Sequence, residues 1–186
     1  LHLHLSDDQS FTFPSRSLPK LASIDRDGSR RQYTHDELRE LVAYADARGV
    51  IVVPEIDVPG HSAVMARAYP ELFGHGVRGM CEPAALAALD GLFGELVETF
   101  ATSPYLHFGA DEVGGDREDY CRFVAKMAEI VRARGRHPMV WEGFPGTGTS
   151  TSPIARDLTV MAWSLDTNPP DRLSAAGYSR VIDCGS

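Results

Sequence analysis

Apolar residues along this chain recur at two alternating spacings. Leu38, Leu41, Val42 and Ala45 keep the three-and-four rhythm of one helix face. Just ahead, Thr34-His35-Asp36-Glu37 is a capping box: the Thr34 hydroxyl can accept from the Glu37 backbone while the Glu37 carboxylate reaches back. Gly49 supplies the stop. Residues 50–53 are then a continuous β-branched run closed by Pro54, the pattern of a strand buried on both faces of a parallel sheet. The unit recurs. Leu86, Leu89, Phe93, Leu96, Val97 and Phe100 predict a helix, and residues 105–108 the next strand. Tyr120, Phe123, Val124, Met127 and Val131 predict another helix, ended by Gly135, before a strand at 139–141. Residues 158–163 read as a further strand, a short helix ends near Gly177, and Val181-Ile182 centres the last strand. At the start, residues 1–5 read as a strand end. The polar stretch 6–32 and the Gly/Ser/Thr/Pro stretch 143–153 read as loops, the second of them flexible.

About six strands separated by helices imply parallel βα units. A (β/α)8 barrel takes about 250 residues, and 186 residues hold about six of its eight units. The expectation is α/β, either a partial TIM barrel incomplete at both ends of residues 1–186 or a smaller open sheet. With 43% hydrophobic residues the chain can build one sizeable core. The net charge of -8, with no basic stripe, argues against a nucleic-acid partner. No apolar run approaches a membrane span, and no signal peptide is visible within residues 1–186. Cys81, Cys121 and Cys184 are far apart and predict buried free thiols rather than a metal cluster or disulfides.

What changes the picture is where the polar residues fall. Ser6, Asp7, Asp8 and Gln9 follow the first strand, Glu55, Asp57 and His61 the second, and Asp111 and Glu112 the third. Trp141 and Glu142 end the fourth, and Trp163 the fifth. In parallel βα folds these carboxyl ends converge on one face, where ligands bind. Singly, each has a plain reading: a solvated Asp-Glu loop or helix cap, a loop histidine satisfied by backbone, a core tryptophan. Five in succession point to a site. Asp111 and Glu112, as neighbours on an extended strand, point in different directions. One can orient a substrate group while the other handles a proton. His61 near carboxylates can tune their proton affinity. His2 and His4 share one strand face. A packed, hydrogen-bonded interior pair is the favoured reading. The alternative is a metal pair completed by Asp7 or Asp8 and His61 or Asp111, which would make the protein a metal-dependent hydrolase. A non-catalytic carbohydrate-binding protein is a third reading, which the intact Asp111-Glu112 pair argues against.

The segments LHLHLSDDQSF (1–11), EIDVPGH (55–61), HFGADEV (107–113), VWEG (140–143) and MAWS (161–164) together resemble glycoside hydrolase family 20, the β-N-acetylhexosaminidases. Residues 33–50 also resemble the helix that precedes the family's second motif. The matches run in family order over nearly the whole chain. The resemblance implies a (β/α)8 catalytic domain that removes terminal non-reducing β-linked N-acetylhexosamine from an oligosaccharide or glycoconjugate, with no cofactor and no metal. It implies substrate-assisted retaining catalysis, in which the substrate's 2-acetamido oxygen is the nucleophile and an oxazolinium ion the intermediate, an exception to the usual carboxylate pair. On this mapping Glu112 is the acid and then the base, and Asp111 orients the acetamido group. His61 and Asp7 relay charge to Glu112, Asp57 and His107 support the site, and Trp141, Trp163 and Glu142 bind substrate. A secreted or periplasmic location follows from the family. Ala110 stands where the family more often has Gly, and Leu3 where an aromatic residue is frequent. The family's sugar-binding Arg, and its later Tyr, Asp and Trp, have no counterpart in residues 1–186, so the isolated chain is expected to be inactive.

Overall fold

The computed structural model of the chain describes residues 1–21, 31–143, 154–164 and 166–185. One parallel sheet runs through it in sequence order: β1 (His2–His4), β2 (Val53–Glu55), β3 (Tyr105–His107), β4 (His137–Trp141), β5 (Thr159–Ala162) and β6 (Arg180–Asp183). Helix α1 (His35–Asp46) joins β1 to β2. Helices α2 (Ala63–Ala68), α3 (Pro70–Phe73), α4 (Gly76–Met80) and α5 (Pro83–Thr99) lie between β2 and β3. Helix α6 (Arg117–Ala133) leads to β4, and α7 (Pro170–Ala175) to β6. Each strand pairs with the next in the chain, which is the winding of a barrel. A doubly wound sheet would reverse its strand order part-way. Of the two expected architectures, the structure is therefore the partial barrel, an open half with β1 and β6 at its edges.

Local signals account for most of these elements. The capping box forms: Glu37 N–H donates to Thr34 Oγ1 at 3.1 Å, and Thr34 N–H to Glu37 Oε2 at 2.7 Å. Asp116 caps α6 by accepting from the N–H groups of Glu118 and Asp119 at 2.8 and 3.1 Å. The apolar stripes of α5 and α6, Leu89, Leu92, Phe93 and Leu96 with Phe123, Val124, Met127 and Val131, are buried in one core with Phe11, Phe13 and Phe108.

Three features depart from the sequence pattern. Strand β2 begins where residues 50–53 were expected to end it, and Val50 and Ile51 are 41% and 44% exposed. Val53 N–H donates to Leu1 O and Leu5 N–H to Glu55 O, so residues 53 and 55 face β1. Pro54, between them, turns its nitrogen the other way and costs that ladder no bond. Helices α2, α3 and α4 were not expected; at four to six residues each, none is long enough to display a helical period. The cysteines are not buried: Cys81 and Cys121 are half-buried and Cys184 is exposed. They lie on helix margins and at the end of β6, outside the apolar stripes. Apart from Gly143, the expected loop at 143–153 lies outside the described residues.

Candidate active site

The carboxyl ends of the first five strands bring His4, Asp7, Asp57, His61, Asp111, Trp141 and Trp163 around one open cleft of about 230 Å³. That is slightly below the roughly 300–1,000 Å³ of typical small-molecule sites, a size suited to one ring and its substituent.

Glu55 lies beneath this cleft, fully buried. Its Oε2 is 2.6 Å from His4 Nδ1 and 3.0 Å from His2 Nε2. Its Oε1 accepts from Trp141 Nε1 at 2.7 Å and lies 3.1 Å from His107 Nδ1. Burial favours the neutral acid, but the imidazoles of His107, His2 and His4 outweigh it and hold Glu55 well below the usual carboxylate range. The same contact to Glu55 raises His4 above the ordinary histidine value. His2 and His4, the alternative metal pair, thus both turn to one buried anion. Atoms of His2, Glu55 and His107 are near enough to share an ion, yet Glu55 also takes the Trp141 N–H, which can only donate. Glu55 thus shares hydrogen bonds with His4 and Trp141, while His2 and His107 pack beside its carboxylate. Glu55 received no role of its own from the sequence, although a carboxylate just after a β-branched run was a usable signal.

Beyond β3 the backbone makes a tight turn through positive φ at Gly109 (71°), Ala110 (75°) and Glu112 (50°). The backbone groups of Gly109 and Ala110 are engaged. Gly109 N–H donates to His107 Nδ1 at 3.0 Å, and Gly109 O accepts from Trp141 N–H at 2.9 Å. Ala110 N–H donates to Asp57 Oδ1 at 3.2 Å, and Ala110 O accepts from the Tyr120 hydroxyl at 2.6 Å. A Cβ on Gly109 would lie 1.7 Å from Asp57 Oδ1, so only glycine fits there. On the facing loop, a Cβ on Gly60 would lie 2.4 Å from Asp111 O; glycine lets residues 59–61 close against the turn.

The turn aims two carboxylates differently. Glu112 points outward, with Oε2 3.3 Å from His61 Nε2, and His61 Nδ1 lies 3.4 Å from Asp7 Oδ1. Burial works against the Asp7 anion, but the Asp8 N–H, His61 and His4 outweigh it and hold Asp7 below the usual range. Asp111 points inward. Its Oδ1 is buried with no protein partner among the described residues. Burial, then the charges of Glu55 and Glu112, push its carboxyl up. Asp57, buried between Glu55 and Asp111, is pushed up to about 9 by burial first and by those two charges next. It is therefore a neutral acid at pH 7.

Of the residues expected from the sequence, Asp7, Asp57, His61, Asp111, Glu112, Trp141 and Trp163 meet at this cleft. His107 lies just below it, fully buried. Glu142, expected to bind substrate, turns away instead. Its carboxylate accepts from Ser164 N–H at 3.1 Å and Asn168 Nδ2 at 2.8 Å, and its carbonyl from Trp163 Nε1 at 2.9 Å. Fully buried, with its carboxyl pushed up by that burial, it secures the segment that carries Trp163. Adjacent strand-end residues point to opposite sides, so Trp141 takes the cleft and Glu142 the far side. Tyr120 was read from the sequence as helix face alone.

The profile described as "Glycosyl hydrolase family 20, catalytic domain" matches residues 1–121. Curated relatives include a β-hexosaminidase of Akkermansia muciniphila, 32% identical over 78% of this chain and 38% of the relative. A β-N-acetylhexosaminidase of Cellulomonas fimi is 31% identical over 95% of this chain and 38% of the relative. Among solved structures, the Streptomyces plicatus N-acetyl-β-hexosaminidase superposes with a TM-score of 0.80 at 27% identity, over 98% of this chain and 40% of that one. The chain spans about two-fifths of the length of these relatives. On sequence profile, identity and fold together, this chain belongs to glycosyl hydrolase family 20.

Proposed function

We propose that this chain carries the acid/base machinery of a β-N-acetylhexosaminidase, which removes terminal non-reducing N-acetylglucosamine or N-acetylgalactosamine from oligosaccharides or glycoconjugates. The observation that carries the reading is the divergence of Asp111 and Glu112 from one turn. Glu112 is exposed at the end of the Asp7–His61–Glu112 chain, and Asp111 has a buried oxygen free for a donor.

In the first step the substrate's acetamido oxygen attacks the anomeric carbon as the bond to the leaving oxygen breaks. Glu112 gives its proton to that oxygen. Asp111 accepts the acetamido N–H, fixes the oxygen for attack and, once anionic, stabilises the positive charge that develops on the oxazolinium ring. In the second step Glu112, now a carboxylate, takes a proton from water. The water oxygen adds to the anomeric carbon and the ring opens, so configuration is retained. His61, between Asp7 and Glu112, balances the charge as Glu112 loses and regains its proton. Trp141 and Trp163 wall the pocket for the acetamido methyl, each indole N–H pinned by a glutamate oxygen. Asp57 and His107 support the turn from below, and Glu142 holds Trp163 in place.

The test is turnover of a chromogenic N-acetylglucosaminide by the full-length protein, with Glu112→Gln alongside. Turnover of the variant should fall by roughly 10²–10⁴-fold while a thiazoline mimic of the oxazolinium ion still binds. Unchanged turnover removes Glu112 from the acid/base role. Loss of turnover on chelation would favour a metal-dependent hydrolase instead.

A further inference from the structure

We propose that Tyr120 is a positioning residue for Asp111 and Glu112, holding the turn that carries them by its hydrogen bond to Ala110 O. This deepens the reading above and rests on it.

The turn is conformationally costly. Ala110 and Glu112 are not glycine, yet both sit at positive φ, where each residue costs on the order of 1–2 kcal/mol. Such a conformation persists only where its surroundings over-determine it. Three tertiary hydrogen bonds do so here: Asp57 accepts from Ala110 N–H, Trp141 N–H donates to Gly109 O, and the Tyr120 hydroxyl donates to Ala110 O. Asp57 and Trp141 line the cleft themselves. Tyr120 does not. It projects from the first turns of α6, is 3% exposed, and reaches the turn with a hydroxyl 2.6 Å from the carbonyl. Burial raises its phenol well above the ordinary value, so the hydroxyl remains a donor through the working pH range. The carbonyl it holds belongs to the residue directly before Asp111. Rotation of that peptide would swing both carboxylates, and the 3.3 Å approach of Glu112 to His61 would be lost with it.

Tyr120→Phe removes the hydroxyl that donates to Ala110 O and keeps the ring. In the full-length protein, kcat on a chromogenic N-acetylglucosaminide should fall about tenfold per folded molecule, with KM within about twofold. A loss of stability alone would lower the folded fraction and leave kcat per folded molecule as it was. Ala110→Gly added to Tyr120→Phe removes the cost of positive φ and should recover most of the lost kcat. Hydrogen exchange over residues 109–113 should quicken in Tyr120→Phe; this reads the turn without substrate, so absence of turnover in the wild type would count against the activity and not against the positioning. Unchanged kcat per folded molecule, no recovery with Ala110→Gly, or unchanged exchange at 109–113 would each overturn the proposal.

Discussion

Three carboxyl groups meet within one buried corner of the site, and they divide one property unequally. Glu55 stays ionised because three imidazoles and an indole surround it. Asp57 then cannot ionise cheaply beside it, and its carboxyl rises to about 9 from an ordinary 3.8. The neutral Asp57 can leave Asp111 the negative charge that its proposed role requires. This has a consequence for stability. A group raised in the folded state contributes stability that is fully present below its unfolded value and is lost as pH rises through the folded one. For Asp57 that window runs from about 4 to about 9. Asp57→Asn does not titrate, and its Oδ1 can still accept from Ala110 N–H. The melting temperature of the wild type should therefore fall relative to Asp57→Asn as pH is raised from 5 to 9. Parallel curves would mean that Asp57 is ionised in the folded protein.

The elements divide by the kind of signal that specifies them. Helices α1, α5 and α6 are long enough to show an apolar stripe, and two of them carry side-chain caps, so local sequence specifies them. Thr34→Ala removes the α1 capping box, whose residues do not line the cleft. It should cost about 1 kcal/mol, read as a lower urea midpoint with kcat unchanged. Strand β2 and helices α2, α3 and α4 answer to other forces. Strand β2 is located by its partner β1, which pairs with Val53 and Glu55 around a proline. The segment after β1 is held through Glu95 of α5, a buried carboxylate that accepts from the N–H groups of Arg16 and Ser17 at 2.7 and 2.8 Å. Nothing in the local pattern of residues 15–17 or of α5 announces that meeting, because its partners are nearly 80 residues apart.

Across the molecule, Glu55 acts on the sheet as well as the site. From β2 it reaches His2 and His4 on β1, His107 on β3 and Trp141 on β4, so one side chain ties four consecutive strands. Held well below the usual range, it contributes stability that is present above about pH 4.5 and is lost as pH falls. Glu55→Gln should lower stability by roughly 3–5 kcal/mol near neutral pH, with the deficit shrinking below pH 4.5, and should quicken amide exchange in β1 to β4 together. Exchange that quickens in β2 alone would contradict the four-strand role. Alternation of strand and helix, the caps, the parallel winding and the placing of polar residues at strand ends were determined by the sequence itself, because each is a local rhythm of side chains. So was membership in the family, carried by motifs whose order survives without coordinates. The tertiary structure alone decided that Trp141 faces the cleft while Glu142 turns away, that Glu55 becomes a four-strand anchor, and that Tyr120 crosses from α6 to the turn of Asp111 and Glu112. Those outcomes depend on distances between residues remote in the chain and on which of two alternating side chains at a strand's end faces the cleft, which no local pattern encodes.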